Sequence, residues 1–317
     1  MKAITLRGYG GPELLKLEDV DKPNPGANDV LIRNHAAALN AADWHLMRGS
    51  PLVFRLMFGF TRPKNPIIGA DIAGTVEAVG SGVTKFKPGD QVYADLSGAS
   101  FGAFAEYVAA PAEIVASKPS GISFTEAAAI PLAGVTALQA VNKHGPLRAG
   151  QSVLVNGASG GVGHFAVQIA KAAGAVVTGV CSGRNADLVR GIGADEVIDY
   201  TKEDFTRLGR SWDLVLDAVG NQSLGAIRRA IGENGKAVMI GFGSMTRLMS
   251  MALMGGKNVA IISAKANASD LDRLAKLAED GKLSPQIEKV YPLAELPAAM
   301  AQLETGRVRG KLAVEIG

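Results

Sequence analysis

Between residues 151 and 181 the spacing of apolar positions changes twice, and each change predicts a new element. Residues 153–155 form a short apolar run rich in β-branched side chains, typical of a buried strand. Residues 164–173 then place apolar side chains at helical spacing, and Gly174 ends that helix. A second apolar run at 176–180 predicts another strand. The pattern is therefore strand, helix, strand.

The rest of the second half repeats this alternation. Strands are expected at 196–200, 212–218, 236–240 and 259–263, and helices at 185–191, 224–231 and 269–278. Such an order is typical of a doubly wound parallel sheet, which binds its ligand outside the carboxyl ends of the strands.

The first 120 residues have a different texture. Short β-type runs recur there, separated by turn clusters that contain Pro, Gly and Asp, at 2–6, 14–17, 30–35, 72–79, 91–94 and 105–108. This spacing favours a partly open β-barrel. Similar runs at 289–291 and 311–316 flank a helix at 296–303. We expect an α/β protein in which a barrel domain, 1–122, is completed by 266–317 and interrupted by a Rossmann domain, 123–265.

A glycine-dense turn joins the strand at 153–155 to the helix that follows. Measured against G-x-G-x-x-G, it offers Ala158, Gly160 and Gly163, with alanine in the first place. Such a turn lets a pyrophosphate approach bare backbone and the positive end of a helix. A packing turn without ligand is the alternative, but the flanking strand and helix favour a nucleotide. The predicted contacts are Ala158, Ser159, Gly160, Gly161, Val162 and Gly163.

The loop after the second strand indicates which nucleotide binds. No Asp or Glu occurs between Gly157 and Asp187, although an NAD site places a carboxylate near this strand end. The loop instead reads Ser182, Gly183, Arg184 and Asn185, which suits a 2′-phosphate. Alternatively, Arg184 is a solvated residue that opens the next helix. NADP(H) is the favoured cofactor, and the other strand ends add Tyr200, Ala218, Val219, Gly220, Gly241, Phe242 and Gly243.

Composition narrows the class of protein. A net charge of +3 is too small to favour nucleic acid or an anionic membrane as partner, and no stretch has the length and apolarity of a signal peptide or membrane span. Cys181 is the only cysteine, which excludes an intrachain disulfide and any multi-cysteine metal site. These features are typical of a cytoplasmic enzyme.

Four segments together carry a family resemblance over essentially the full length: 83–92, 158–163, 193–200 and 306–311. The chain resembles a medium-chain dehydrogenase/reductase of the zinc-free quinone oxidoreductase type. The resemblance implies a GroES-like barrel, NADPH bound in a cleft between the domains, and a homodimer joined through the edge strand at 259–263.

The resemblance also implies roles for residues outside the glycine turn. It places Asn40 and Asp43 near the nicotinamide end as catalytic candidates, and Thr136 against that half of the cofactor. Tyr200 becomes a candidate contact for the adenosine end, and Lys311 a contact near the cofactor. The alternatives are an ordinary helical role for Thr136 and an N-cap role for Asp43 in a turn at 44–48.

Metal ligands of the zinc-dependent relatives are missing. Asn40 stands where they carry a cysteine, and their Gly-His-Glu segment reads Gly69, Ala70 and Asp71 here. Because a catalytic zinc needs three protein ligands, we expect no metal.

Without a metal, the substrate has to accept hydride readily, as quinones and α,β-unsaturated carbonyls do. No dedicated proton donor is evident: Tyr-x-x-x-Lys is absent, and apolar neighbours favour a packed core role for Tyr93. Two apolar segments, 51–60 and 246–254, fit equally well as the lining of a hydrophobic pocket or as buried packing.

Three function classes follow. The leading hypothesis is an NADPH-dependent reductase of quinones or activated alkenes. A cofactor-binding redox sensor or structural protein with little turnover is the second. A methyltransferase is the third, and the absence of an acidic residue after the second strand argues against it.

Overall fold

The computed structural model describes residues 1–99, 101–241 and 245–317, with the backbone alone at 54, 245, 247 and 248. The described chain divides into two compact units. One comprises Met1–Leu132, Lys265–Asp280 and Pro285–Gly317, and the other comprises Ala133–Ala264 with Gly281–Ser284.

The strands and helices of the described residues are numbered in chain order. The strands are β1 Lys2–Leu6, β2 Leu15–Asp19, β3 Asp29–Ala38, β4 Asp71–Val79, β5 Gln91–Asp95, β6 Tyr107–Pro111, β7 Val115–Ser117, β8 Ser152–Asn156, β9 Val176–Cys181, β10 Glu196–Asp199, β11 Trp212–Asp217, β12 Ile231–Met239, β13 Val259–Ile261, β14 Ile287–Pro292 and β15 Lys311–Glu315. The helices are α1 Ala41–Arg48, α2 Val53–Phe58, α3 Phe124–Ala128, α4 Pro131–Gln139, α5 Gly163–Ala172, α6 Ala186–Gly191, α7 Leu224–Ala230, α8 Met245–Met254, α9 Ala268–Glu279 and α10 Leu296–Glu304.

The first unit is built on a mainly antiparallel sheet, as the turn-separated runs predict. Its strand order is β14-β15-β3-β4-β5-β7, with β6 also paired to β3. Strand β15 runs antiparallel to β3, with Ala313 opposite Ala38, so the C-terminal residues complete the sheet that the N-terminal residues begin. Its core contains Ile32, Ile72 and Leu312.

The second unit is a six-stranded parallel sheet in the order β10-β9-β8-β11-β12-β13. Counted along this unit, the order is the 3-2-1-4-5-6 arrangement of a Rossmann fold. All its strand pairs are parallel, and β13 is the last strand at one edge. The α/β class and doubly wound sheet are confirmed.

The first unit extends further along the chain than the pattern change at residue 123 suggests. Helix α3 packs against β3 and β4, and the ring of Phe124 lies 4.5 Å from that of His35. The unit therefore runs to Leu132, about ten residues past the expected boundary, because α3 covers its sheet.

Two apolar segments leave many of their described side chains in solvent. In the first, Leu52 is 71%, Leu56 is 73% and Phe60 is 74% exposed, so simple burial of this segment is wrong. In the second, Met251 is 4% exposed and packs in the core of its unit, whereas Leu253 is 77% exposed. Of the helices in the described ranges, none combines the length and apolarity needed to span a bilayer.

Candidate cofactor site and buried acidic cluster

The glycine turn leaves β8 and is locked onto the neighbouring strand β9. Gly157 has φ of +83°, a conformation that glycine adopts without the strain a side chain causes. The backbone N–H groups of Gly157 and Ala158 both donate to the carbonyl of Val180, at 3.1 and 3.0 Å. The turn therefore has a fixed geometry set by two strands.

Gly163 opens α5 at a point where the chain passes close to the carbonyl group of Gly157. A Cβ atom there would lie 2.0 Å from the carbonyl oxygen of Gly157 and 2.7 Å from its carbon. Gly160 is less confined, because its Cβ would lie 3.3 Å from the same oxygen. The start of α5 is thus brought against the turn, where the positive end of the helix dipole favours an anion.

The loop after β9 is tied to the glycine turn by a side-chain hydrogen bond. Asn185, which is buried, donates from Nδ2 to Oγ of Ser159 at 3.0 Å. Gly183 and Arg184 are exposed, and Ser182 is half-buried. The structure therefore brings together the predicted pyrophosphate turn and the loop predicted to take a 2′-phosphate.

A carboxylate that sequence spacing did not reveal lies beside this loop. Asp199 ends β10, and a Cβ on Gly183 would come within 2.6 Å of its Oδ2. Hydrogen bonds from the hydroxyl and backbone N–H of Thr201 lower the pKa of Asp199, and the backbone N–H of Gly183 adds to this effect. The spacing rule does not point to Asp199, because it ends the third strand of this sheet in chain order and the rule concerns the second.

The remaining predicted contact residues lie at the same carboxyl edge of the sheet. Tyr200 is 63% and Val219 43% exposed, whereas Gly220 is buried. The N–H groups of Ala218 and Gly241 are bonded to the carbonyls of Asn156 and Asp217. Phe242 and Gly243 lie outside the described residues.

Asn40 and Asp43 both belong to the start of α1. The helix begins at Ala41, with Asn40 as its N-cap, and the backbone N–H of Asn40 donates to Oδ2 of Asp43 at 2.7 Å. Asp43 therefore occupies the third helical position of a capping box, and the expectation that it caps a turn at 44–48 is wrong. Its side chain is fully buried.

The side chain of Asn40 points away from this cap and into a buried acidic cluster, formed by Asp43, Asp71 and Asp95. Its Nδ2 donates to Oδ2 of Asp71 at 2.8 Å, with a longer 3.5 Å contact to the carbonyl of Ala38. Its Oδ1 accepts from Nζ of Lys311 at 2.5 Å. The structure thus unites three predicted site residues, Asn40, Asp43 and Lys311, in the first unit.

Adjacent strands supply the rest of the cluster. Asp71 stands opposite Asp95 in the pairing of β4 with β5. Oδ1 of Asp71 accepts from the backbone N–H of Leu132 at 2.8 Å, and Oδ2 lies 3.4 Å from Nζ of Lys311. Asp95 accepts from the N–H of Ser97 at 2.8 Å. All three carboxylates are 2% exposed or less.

Burial dominates the electrostatics of this cluster. Loss of water raises the pKa of Asp43 to about 8 and that of Asp95 to about 7, and the neighbouring Asp71 adds to both shifts. Burial also raises the pKa of Asp71, against the opposing effects of Lys311 and the hydrogen bond from Asn40. Asp43 and Asp95 therefore tend to keep protons that exposed carboxyl groups lose.

This donor set does not fit the zinc ion of metal-dependent relatives. In the described part of the chain, no three His, Cys, Asp or Glu side chains are grouped so that they could hold a metal. The ammonium of Lys311 lies among the oxygen atoms instead, 2.5 Å from Asn40 and 3.4 Å from Asp71. A second cation next to it would meet direct repulsion.

Two further residues named in the sequence analysis, Thr136 and Tyr93, are buried. Thr136 lies in α4 and is 7% exposed. Tyr93 is fully buried, and its hydroxyl donates to the carbonyl of Leu271 at 2.6 Å, which confirms the packed core role.

Comparison with known proteins agrees with this architecture. Residues 26–120 match the family described as alcohol dehydrogenase GroES-like domain, and residues 192–314 match the family described as zinc-binding dehydrogenase. The chain belongs to the medium-chain dehydrogenase/reductase superfamily, in the group of the quinone oxidoreductases. The oxidoreductase assignment is confirmed, and the methyltransferase alternative is wrong.

Individual relatives cover nearly the whole chain. The chloroplast envelope quinone oxidoreductase homolog of Arabidopsis thaliana is 35% identical over 99% of this chain and 98% of its own length. The 2-methylene-furan-3-one reductase of Solanum lycopersicum is 36% identical over 99% of this chain and 79% of its own. The solved quinone oxidoreductase of Coxiella burnetii superposes with a TM-score of 0.91 at 33% identity, over 100% of this chain and 99% of its own.

Proposed function

We propose that this protein is an NADPH-dependent reductase that transfers hydride to a quinone or an α,β-unsaturated carbonyl without a metal. The supporting observation is the backbone contact at Gly163, which leaves no room for a side chain where a Rossmann turn meets a pyrophosphate. Relatives named as a quinone oxidoreductase and as an alkenal/one oxidoreductase support the substrate class.

The preference for NADPH over NADH rests on the loop at 182–185. Arg184 is exposed beside a turn held in place by Asn185 and Ser159, and its guanidinium suits a phosphate. Asp199 is the opposing feature, because a carboxylate near this loop repels a 2′-phosphate. Its Oδ1 accepts from both the N–H and the hydroxyl of Thr201, and the backbone N–H of Gly183 also interacts with the carboxylate, so it acts here as an anchor for the loop.

NADPH, when bound, would supply the hydride for the acceptor, and a proton from water would complete the reduction. Residues of this chain bind and orient. In the second unit, the turn at 157–163 would hold the pyrophosphate. In the first unit, the hydrogen bonds of Asn40 fix the start of α1. The exposed apolar side chains of Leu52, Leu56 and Phe60 offer a surface for a hydrophobic acceptor.

Turnover distinguishes this proposal from a redox sensor. NADPH oxidation is followed by its absorbance with a quinone and, separately, with an enone, before and after treatment with a chelator. We expect at least one acceptor to be reduced at a rate that the chelator leaves unchanged. Tight NADPH binding with neither acceptor reduced favours the sensor, and loss of activity on chelation contradicts the metal-free reaction.

Assembly and location are part of the proposal. Strand β13 lies at the edge of the parallel sheet, and pairing with the same strand of a second copy gives a homodimer. Light scattering of the purified protein tests this, since a monomer at micromolar concentration contradicts it. A cytoplasmic location stays a prediction from composition; some relatives are named as chloroplastic or mitochondrial.

A further inference from the structure

Lys311 is the cation that acts on every carboxylate of the buried acidic cluster. Its ammonium lowers the pKa of Asp43, Asp71 and Asp95 alike, against the effect of burial. The side chain is 2% exposed and starts at the first residue of β15. An ammonium this far from water is stable only with partners that offset its lost hydration.

We propose that the Lys311 ammonium is the resident cation of the acidic cluster and the positioning group for Asn40. The proposal goes beyond the reductase function and does not depend on it. It assigns Lys311 to the architecture of the first unit, with α1, β4, β5 and β15 each supplying one charged group.

The donor chemistry of Lys311 fixes the orientation of one amide. An ammonium has only donors, so it can face only the Oδ1 atom of the Asn40 carboxamide. The Nδ2 atom is then directed to the carboxylate of Asp71. Exchange of the two amide atoms would place the N–H donors of the amide against the ammonium. The Asn40 side chain therefore has one allowed orientation.

Charge balance follows the same geometry. Asp71 touches the ammonium and accepts from Asn40 and Leu132, so its two oxygen atoms have donors on both sides. Asp43 has one buried oxygen atom, Oδ1, that lacks a hydrogen-bond partner among the described atoms. Asp71 is therefore the member of the cluster best equipped to carry the negative charge that pairs with Lys311.

A double-mutant cycle tests the pairing. Lys311→Met leaves Asp71 buried without its counter-charge, and we expect Tm to fall by roughly 10 °C near pH 8. Asp71→Asn alone also destabilises, because the single amide oxygen cannot replace both carboxylate oxygen atoms, one facing Nδ2 of Asn40 and the other facing the N–H of Leu132. In the double variant the Asn40 amide can turn and pair with the new asparagine, and we expect Tm to recover to within roughly 3 °C of wild type.

The pH dependence separates a charge role from a packing role. Asp71 can take up a proton in acid, which relieves the unpaired charge in Lys311→Met. We therefore expect the loss of Tm in this variant to shrink between about pH 8 and about pH 5. Loss of packing alone would be independent of pH. Asp43 and Asp95 lose the same cation in the variant, so their proton uptake changes the loss of Tm in the same direction, and the pH dependence reports the charge of Lys311 on the whole cluster.

An exposed ion pair supplies the matched control. Lys2 and Asp19 lie 2.7 Å apart with side chains 51% and 74% exposed, and the equivalent cycle there should change Tm by less than about 2 °C. If Lys311→Met yields no folded protein, recovery of folded protein in the double variant supports the proposal. Additive losses, or a pH-independent loss, overturn it.

Discussion

The side-chain amide of Asn156 donates to Oδ1 of Asp217 at 2.8 Å, across the carboxyl ends of two neighbouring parallel strands. The same oxygen atom accepts from the backbone N–H groups of Val219 and Gly220, at 3.0 and 2.9 Å. One buried carboxylate thus shapes the turn that follows β11, and the two N–H groups are directed into the protein.

Asp217→Ala should loosen this turn, because it leaves buried donors without an acceptor. We expect a loss of unfolding free energy of about 2–3 kcal/mol, measured by urea denaturation. Asp187→Ala is the control, since that carboxylate is exposed on α6 and should contribute less than about 0.5 kcal/mol. Equal stability of the two variants would show that Asp217 does not hold the turn.

Gly163→Ala should damage the cofactor site, whereas alanine in place of a glycine with open space around it should not. The added Cβ would overlap the carbonyl group of Gly157, so the turn has to shift. We expect NADPH affinity to fall by roughly 10- to 100-fold, as if one to three kcal/mol of phosphate contacts were lost. Gly191→Ala is the matched control, because its Cβ meets nothing within 4 Å. Unchanged binding in Gly163→Ala would place the pyrophosphate elsewhere.

Arg184→Ala should remove the preference for NADPH. Loss of a charge-assisted contact to the 2′-phosphate is expected to weaken NADPH roughly 10- to 100-fold and leave NADH within about twofold. Fluorescence titration with both cofactors measures this. Arg190→Ala, which removes an exposed arginine paired with Asp187, should alter neither affinity. Equal binding of NADPH and NADH by the wild type would contradict the assignment.

Asp95→Asn should change how stability depends on pH. The folded protein holds the Asp95 proton up to about pH 7, whereas the unfolded chain releases it near its ordinary pKa. Stability from this group is therefore full in acid and declines as pH rises towards 7. Because asparagine does not titrate, the variant should gain roughly 1–3 kcal/mol over wild type between about pH 5 and pH 7. The exposed Asp21→Asn should show no such gain, and parallel curves for Asp95→Asn and wild type would refute the expectation.

Local patterns in the sequence predict much of the fold. The apolar run at 153–155, the helix after it and the later strands all lie where the period of hydrophobic positions places them. These elements obey local rules, since each buries one face or both faces along a short segment. Boundaries depend on packing as well: α1 begins at Ala41, earlier than the turn expected at 44–48, because Asn40 and Asp43 cap it.

Only the parts of the site that are contiguous in sequence could be predicted. The glycine turn and the loop at 182–185 are adjacent in sequence to the strands that carry them. The bond between Lys311 and Asn40 joins residues 271 positions apart, and the approach of Asp199 to Gly183 depends on strand order. Charge partners of this kind are set by topology, and spacing along one sequence does not reveal them.

Cys181, the last residue of β9, is 2% exposed, and burial raises the pKa of its thiol to about 11. A thiol that stays protonated and shielded is a poor nucleophile at neutral pH. The native protein should therefore react little with thiol-directed reagents. A single cysteine introduced on the surface of either unit could carry a spectroscopic probe while Cys181 stays in place, so that each unit can be observed separately.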